Sequence, residues 1–272
     1  MTELIARRSV LYLVGAVITG LPVTLARAED DPWPGLHQDV FRSRPIIEED
    51  GLVTLDAPVR AEDAALVPLT VTLDRDRLSA PLTLTLLIDK NPAPVAATFF
   101  FGEGSGEIVL STRVRIDAYS NVRAVVETST GVLHMTTRYV KASGGCSAPA
   151  LKDAELAEAE LGKMQLRQFE GSLPASTSRE AQLMIRHPNY SGMQMNQLTG
   201  YYIPAKFVTD VEVKRGDALV FRMEGGISLS ADPNIRFTFR STGPDDVLTA
   251  VAKDTDGRVL HGSWPVKSGK ES

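Results

Sequence analysis

The 272 residues, 43% hydrophobic and 23% charged, exclude a disordered chain and exceed what one hydrophobic core usually organises, so two modest domains are expected. The formal charge of −5 at pH 7 excludes the basic footprint that nucleic-acid binding needs, and no Lys/Arg cluster points to an acidic membrane surface.

The chain opens on Arg7-Arg8, an apolar run from Val10 to Ile18, a Gly20-Leu21-Pro22 break and Ala26-Arg27-Ala28, then acidic Glu29-Asp30-Asp31. This is the layout of a secretory signal peptide over residues 1–28, cleaved after Ala28. The competing reading is an uncleaved anchor; cleavage is favoured over it because the apolar run falls short of the ~20 residues that span a bilayer and an acidic, Pro-containing stretch follows at once. The general secretory and twin-arginine routes both stay open; the expected destination is the periplasm, with no membrane attachment after cleavage. Removing Arg7, Arg8 and Arg27 together with Glu3 leaves a mature charge of −7.

Residues 29–50, with Pro32, Pro34, Pro45 and mixed charge, are expected as an extended leader over the surface. From residue 51 to 142 short β-rich runs follow: Leu52–Leu55, Val67–Leu73, Leu82–Ile88, Ala97–Phe101, Ile108–Ile116, Val122–Thr128 and Val132–Val140. Several alternate apolar and polar in period two, with turn formers such as Asp89-Lys90-Asn91-Pro92 between them, which predicts a first β-sandwich. The pattern breaks over residues 143–149. Residues 150–178 then predict a connector: an amphipathic helix running to about Phe169, with Ala154, Ala157, Leu161 and Met164 on one face, followed by a Gly171–Ser178 linker. Strand texture resumes over 179–268 in Gln182–Ile185, Ala205–Val213, Ala218–Met223, Ile235–Phe239, Val247–Lys253 and Val259–Pro265, a second and smaller sandwich. The expected fold class is therefore all-β, two sandwich domains joined by a cysteine-bearing loop and a connector helix.

Cys146 is the single cysteine. An unpaired cysteine in an exported protein is a buried thiol, half of an intermolecular bridge or a reactive group. The setting Ser143-Gly144-Gly145-Cys146-Ser147, with Pro149 beyond, favours neither sheet nor helix, so the thiol is expected exposed on a mobile loop, with Lys141 and Lys152 as nearby cations. No catalytic base adjoins it in sequence, which argues for a carrier thiol over a cysteine enzyme. His37, His134 and His261 read as ordinary positions, and His187-Pro188 as a loop anchor or a site; no metal or other cofactor is implied. The glycine clusters Gly102–Gly106 and Gly225-Gly226 lack the strand-to-helix setting of a phosphate loop and read as turns, and the sequon Asn189-Tyr190-Ser191 matches a pattern that arises often by chance.

Asn91-Pro92, the strand pair Val114–Val125 and the run Val140-Lys141-Ala142-Ser143-Gly144-Gly145-Cys146 resemble SoxY, the sulfur-carrying subunit of the periplasmic thiosulfate-oxidising system. Arg186-His187-Pro188, Met195–Thr199, Tyr202-Ile203-Pro204-Ala205, Gly225-Gly226-Ile227-Ser228, Asp232-Pro233-Asn234, Phe237-Thr238-Phe239 and Asp254-Thr255-Asp256-Gly257 resemble its partner SoxZ in order. One polypeptide carrying both is similar to SoxYZ-like carriers associated with quinoprotein dehydrogenases. The resemblance implies two immunoglobulin-like sandwiches packed as an intramolecular SoxY/SoxZ-like pair. It also implies a covalent carrier role for Cys146, Gly144 and Gly145 as the hinge of its arm, and no catalytic constellation. Implied partners are periplasmic redox enzymes: sulfur-oxidation enzymes, or a quinoprotein dehydrogenase with its cytochrome c. An alternative is a non-covalent accessory module of a quinoprotein alcohol dehydrogenase, with the cysteine incidental. The family's arm is a free tail ending Gly-Gly-Cys-Gly-Gly, whereas here Ser147-Ala148-Pro149 and the second domain follow. A loop of this length held at both ends projects roughly 10 to 12 Å.

Overall fold

The computed structural model describes residues 31–48, 51–74, 77–78, 81–149, 159–169, 178–243 and 245–266. The expected signal peptide and most of the connector helix and linker lie outside them. Ala159 is helical, and the chain turns at once over residues 160–162.

In chain order the strands of the first lobe are β1 (Ile46–Glu48), β2 (Val53–Asp56), β3 (Val67–Leu73), β4 (Leu82–Ile88), β5 (Val95–Phe101), β6 (Ile108–Val114), β7 (Ser120–Glu127) and β8 (Leu133–Val140). Those of the second are β9 (Met164–Phe169), β10 (Ser178–Ile185), β11 (Val208–Arg215), β12 (Ala218–Gly225), β13 (Asn234–Arg240), β14 (Val247–Asp254) and β15 (Val259–Pro265). Alternation does what it predicts in β3, where Val67, Leu69, Val71 and Leu73 are buried and the residues between them are not.

The lobes share their sheets. One sheet runs β1-β8-β7-β4-β5-β12-β11-β14-β15, the other β2-β3-β6-β13-β10-β9. The seam is antiparallel in both, with Phe101 of β5 opposite Phe221 of β12 and Leu110 of β6 opposite Phe237 of β13. Aromatic rings fill the space between the sheets at this seam: Phe99 meets Phe221 at 5.9 Å and Phe221 meets Phe237 at 5.1 Å, both edge to face. Each such pair contributes about 0.5–1.5 kcal/mol beyond the area it buries. The all-β, two-sandwich expectation therefore holds, with edge-to-edge strand pairing added to the covalent connection.

Two expectations are corrected. Residues 29–50 are not merely an extended leader: Trp33–Phe41 is an α-helix (α1), with Pro34 in its first turn and a left-handed cap at Arg42. Its Phe41 is buried against Leu87, Val125, Leu133 and Met135, so this part of the first lobe's outer sheet face is covered, and β4 is buried on both faces from Leu84 to Ile88. The guanidinium of Arg123 lies 4.0 Å from the Trp33 ring centroid and is paired with Asp89 at 2.8 Å. Arg44 then ties the end of the helix to Glu127 of β7 through two hydrogen bonds of 2.7 and 2.9 Å. The connector helix does not reach Phe169 either, because Met164–Phe169 is the edge strand β9, zipped antiparallel to β10. Pairing with an available sheet edge outweighs the modest helix preference of Met, Gln, Leu and Arg.

Candidate functional site

Cys146 is fully buried, which overturns the expected exposed, mobile thiol. The arm is docked along the chain leaving β6. The amide of Gly144 donates to the Asp117 carbonyl at 2.8 Å and that of Gly145 to the Ile116 carbonyl at 3.0 Å. The Cys146 amide donates to Asp117 Oδ1 at 3.3 Å. Arg115 donates from Nη1 to the Gly145 carbonyl at 3.2 Å, and Ser191 Oγ, from the second lobe, donates to the Cys146 carbonyl. None of these partners is near Cys146 in sequence, which is why the local composition reads as a free loop.

The two glycines serve docking in different ways. Gly144 has φ of +77° with open space around it, so its requirement is the left-handed backbone. At Gly145 a Cβ would meet the Ala64 carbonyl oxygen at 2.1 Å and that of Ile116 at 2.7 Å, so the requirement is close approach. In this docked state neither is the loose hinge expected from the sequence.

The surrounding frame comes from both lobes. Asn91 donates from Nδ2 to the Arg115 carbonyl at 2.7 Å and to Ser228 Oγ at 2.9 Å, and its Oδ1 accepts the Asp117 amide at 2.9 Å. In the second lobe the loop between β10 and β11 carries Asn189, Ser191 and Gln194. Arg115 Nη2 donates to the Asn189 carbonyl at 3.3 Å, and Gln194 Oε1 accepts the Ser191 amide at 2.9 Å. His187 is an anchor: its Nδ1 accepts the Asn189 amide at 3.1 Å, and its Nε2 lies 3.6 Å from Asp254 Oδ2. Asn189 and Ser191 of the sequon are themselves buried.

The charges beside the thiol are Arg115 and Asp117, replacing the expected Lys141; Lys152 lies outside the described residues. Burial first, and Asp117 second, push the Cys146 pKa up to about 11, against the opposing pull of Arg115. At neutral pH the docked group is a thiol and not a nucleophilic thiolate. Burial holds His187 below the ordinary histidine range despite the pull of Asp254, so it is neutral. Of the other histidines, His37 stacks on Trp33 and hydrogen bonds to the Arg44 carbonyl, while His134 and His261 lie in β8 and β15.

Sequence reasoning missed Arg115, Asp117, Asn189, Ser191 and Gln194 as parts of the site. Arg115 between Val114 and Ile116 carries a usable signal, since a charge amid apolar residues at a strand end must find partners. The segments containing Asn91, His187 and Ser228, far apart in the chain, meet here.

The fold and this site define an all-β protein of two lobes whose single thiol is clamped at the junction between them. Residues 37–146 match the family model of SoxY, sulfur oxidation protein SoxY, and residues 172–265 that of SoxZ, sulphur oxidation protein SoxZ. The chain therefore carries a SoxY-family domain and a SoxZ-family domain in one polypeptide, and the SoxY match ends on Cys146 itself. Among solved structures, that of the sulfur carrier protein SoxY from Chlorobium limicola f thiosulfatophilum is 25% identical, covering 41% of this chain and 91% of that one with a TM-score of 0.33. No curated protein matches the chain.

Proposed function

We propose that this chain is an exported, non-catalytic carrier of sulfur intermediates, holding its cargo covalently on Cys146 and presenting it to partner redox enzymes in the periplasm. The observation that carries this reading is the coincidence of the SoxY match's end with the only cysteine, held at the lobe junction by bonds that can be remade. Each main-chain hydrogen bond of the docked arm contributes about 0.5–1.5 kcal/mol net, so their sum is within reach of a partner's binding energy. Undocked, with Gly144 and Gly145 as hinge, the thiol regains ordinary acidity and supplies thiolate. In loading, the thiolate sulfur forms an S–S bond with an incoming sulfur nucleophile, and the two electrons released pass to the partner redox enzyme. Docking then shields the adduct.

The test is intact-mass analysis of the protein purified from the periplasm of cells oxidising reduced sulfur. The mature chain beginning at Glu29 and a discrete adduct on Cys146 are expected, and unmodified thiol recovered throughout turnover overturns the carrier role. The burial of Cys146 favours a second reading, an accessory module of a quinoprotein alcohol dehydrogenase in which the cysteine only packs. Cys146→Ser separates the two, abolishing function in a carrier and sparing it in an accessory module.

A further inference from the structure

Three side-chain nitrogens of residues in the hydrogen-bond frame of the Cys146 arm are buried and have no hydrogen-bond partner: Arg115 Nε, Asn189 Nδ2 and Gln194 Nε2. Their residues are 3%, 0% and 1% exposed. The amide orientations are fixed independently, because Asn189 Oδ1 accepts the Val208 amide at 3.0 Å and Gln194 Oε1 accepts the Ser191 amide at 2.9 Å. Each amide must therefore turn its donor end to the unpartnered side. Arg115 adds charge: both of its hydrogen bonds end on main-chain carbonyls, and Asp63, the carboxylate whose charge acts on it, accepts the Ala65 amide and makes no hydrogen bond or ion pair to it among the described residues. A buried cation and two buried amide donors left unpaired each cost free energy that a suitable acceptor restores. The nearby Asp117 is occupied, its carboxylate taking the Cys146 amide. His187 Nε2 and Asp254 Oδ2, also unpartnered, face one another and do not share in this set.

We propose that Arg115, Asn189 and Gln194 form an oxyanion pocket for the sulfonate end of a group carried on Cys146, so that the docked arm recognises its cargo by negative charge and three acceptor oxygens. The inference rests on the carrier reading. In the empty carrier the pocket leaves its donors unpaired, and a sulfonate on the thiol pairs them. The loaded arm is therefore held more tightly than the free one, and a neutral adduct gains nothing.

The test uses two adducts on the full chain. Tetrathionate gives Cys146–S–SO3−: the thiolate attacks a central sulfur, that S–S bond breaks and thiosulfate leaves with the electron pair. Methyl methanethiosulfonate gives neutral Cys146–S–CH3 with release of methanesulfinate. In the wild type the –S–SO3− protein should melt above the –S–CH3 protein and release its group to a phosphine reductant about tenfold more slowly relative to unfolded controls, the scale of one charge-assisted hydrogen bond. Gln194→Glu keeps the oxygen that Ser191 needs and replaces the donor by a negative charge. It should speed release of –S–SO3− about tenfold and leave –S–CH3 unchanged. Equal behaviour of the two adducts in the wild type, as when buried water satisfies these donors, or an equal effect of Gln194→Glu on both, overturns the pocket while leaving the carrier reading intact. Where docking shields native Cys146 from the reagents, both adducts are made in urea before refolding and the same comparison decides; an –S–SO3− chain that refolds less stably than the –S–CH3 chain overturns the pocket.

Discussion

At Gly145 the structure leaves no room for a methyl group, so close approach to the Ala64 and Ile116 carbonyls is one condition of the docked arm. Gly145→Ala must push the arm from Ala64 and Ile116 at a cost of about 1–3 kcal/mol. Labelling of Cys146 by a thiol reagent at pH 7.5 should accelerate roughly tenfold or more, and an unchanged rate would mean that docking does not gate the thiol. The pH dependence has a definite sign. The docked thiol, at about 11, holds its proton more tightly than one at the ordinary value of 9.0. Docking keeps its full strength below pH 9.0 and weakens as pH rises towards about 11. Labelling corrected for thiolate fraction should therefore climb across that interval. For His187 the sign is opposite. Burial depresses its pKa, so the unfolded chain takes up the proton first and stability is lost as pH falls below about 6.5. Urea midpoints at pH 7.5 and 5.5 should differ in the wild type and differ less in His187→Gln.

The short helix α1 stands on one buried residue and one charge cluster. Asp89→Ala leaves the Arg123 guanidinium beneath Trp33 without its counter-ion, a loss of about 3–5 kcal/mol that urea unfolding would measure. A loss below ~1 kcal/mol would show that the Trp33 ring and the neighbouring strands hold the cation unaided. Neither α1 nor β9 was legible in the sequence. Pro32, Pro34 and Gly35 mask a helix that needs a sheet face to lie on, and β9 is composed of good helix formers that find an open strand edge. In contrast β3, β4 and β15 have the bounds their alternation or apolar runs and flanking turns predict, because those signals are local.

Across the whole molecule, shared sheets couple the lobes. With β5 paired to β12 and β6 to β13, and Phe221 in ring contact with both Phe99 and Phe237, neither lobe can lose its seam alone. Calorimetry should give one cooperative transition, and Phe221→Ala should lower it as a unit by about 3–5 kcal/mol. Two resolved transitions would mean that the seam is weaker than its strand pairing implies.

By itself the sequence determined the all-β class, the positions of most strands, the resemblance to two sulfur-oxidation families and the singling out of Cys146, since periodicity, turn chemistry and motif order are properties of neighbouring residues. Tertiary structure alone decided that the cysteine is buried, that Gly145 is a packing requirement, and that Arg115, Asn189 and Gln194 belong to the hydrogen-bond frame that holds its arm. Those facts depend on contacts between segments of both lobes, distant in sequence, and no local pattern encodes which distant carbonyl a glycine will lie against.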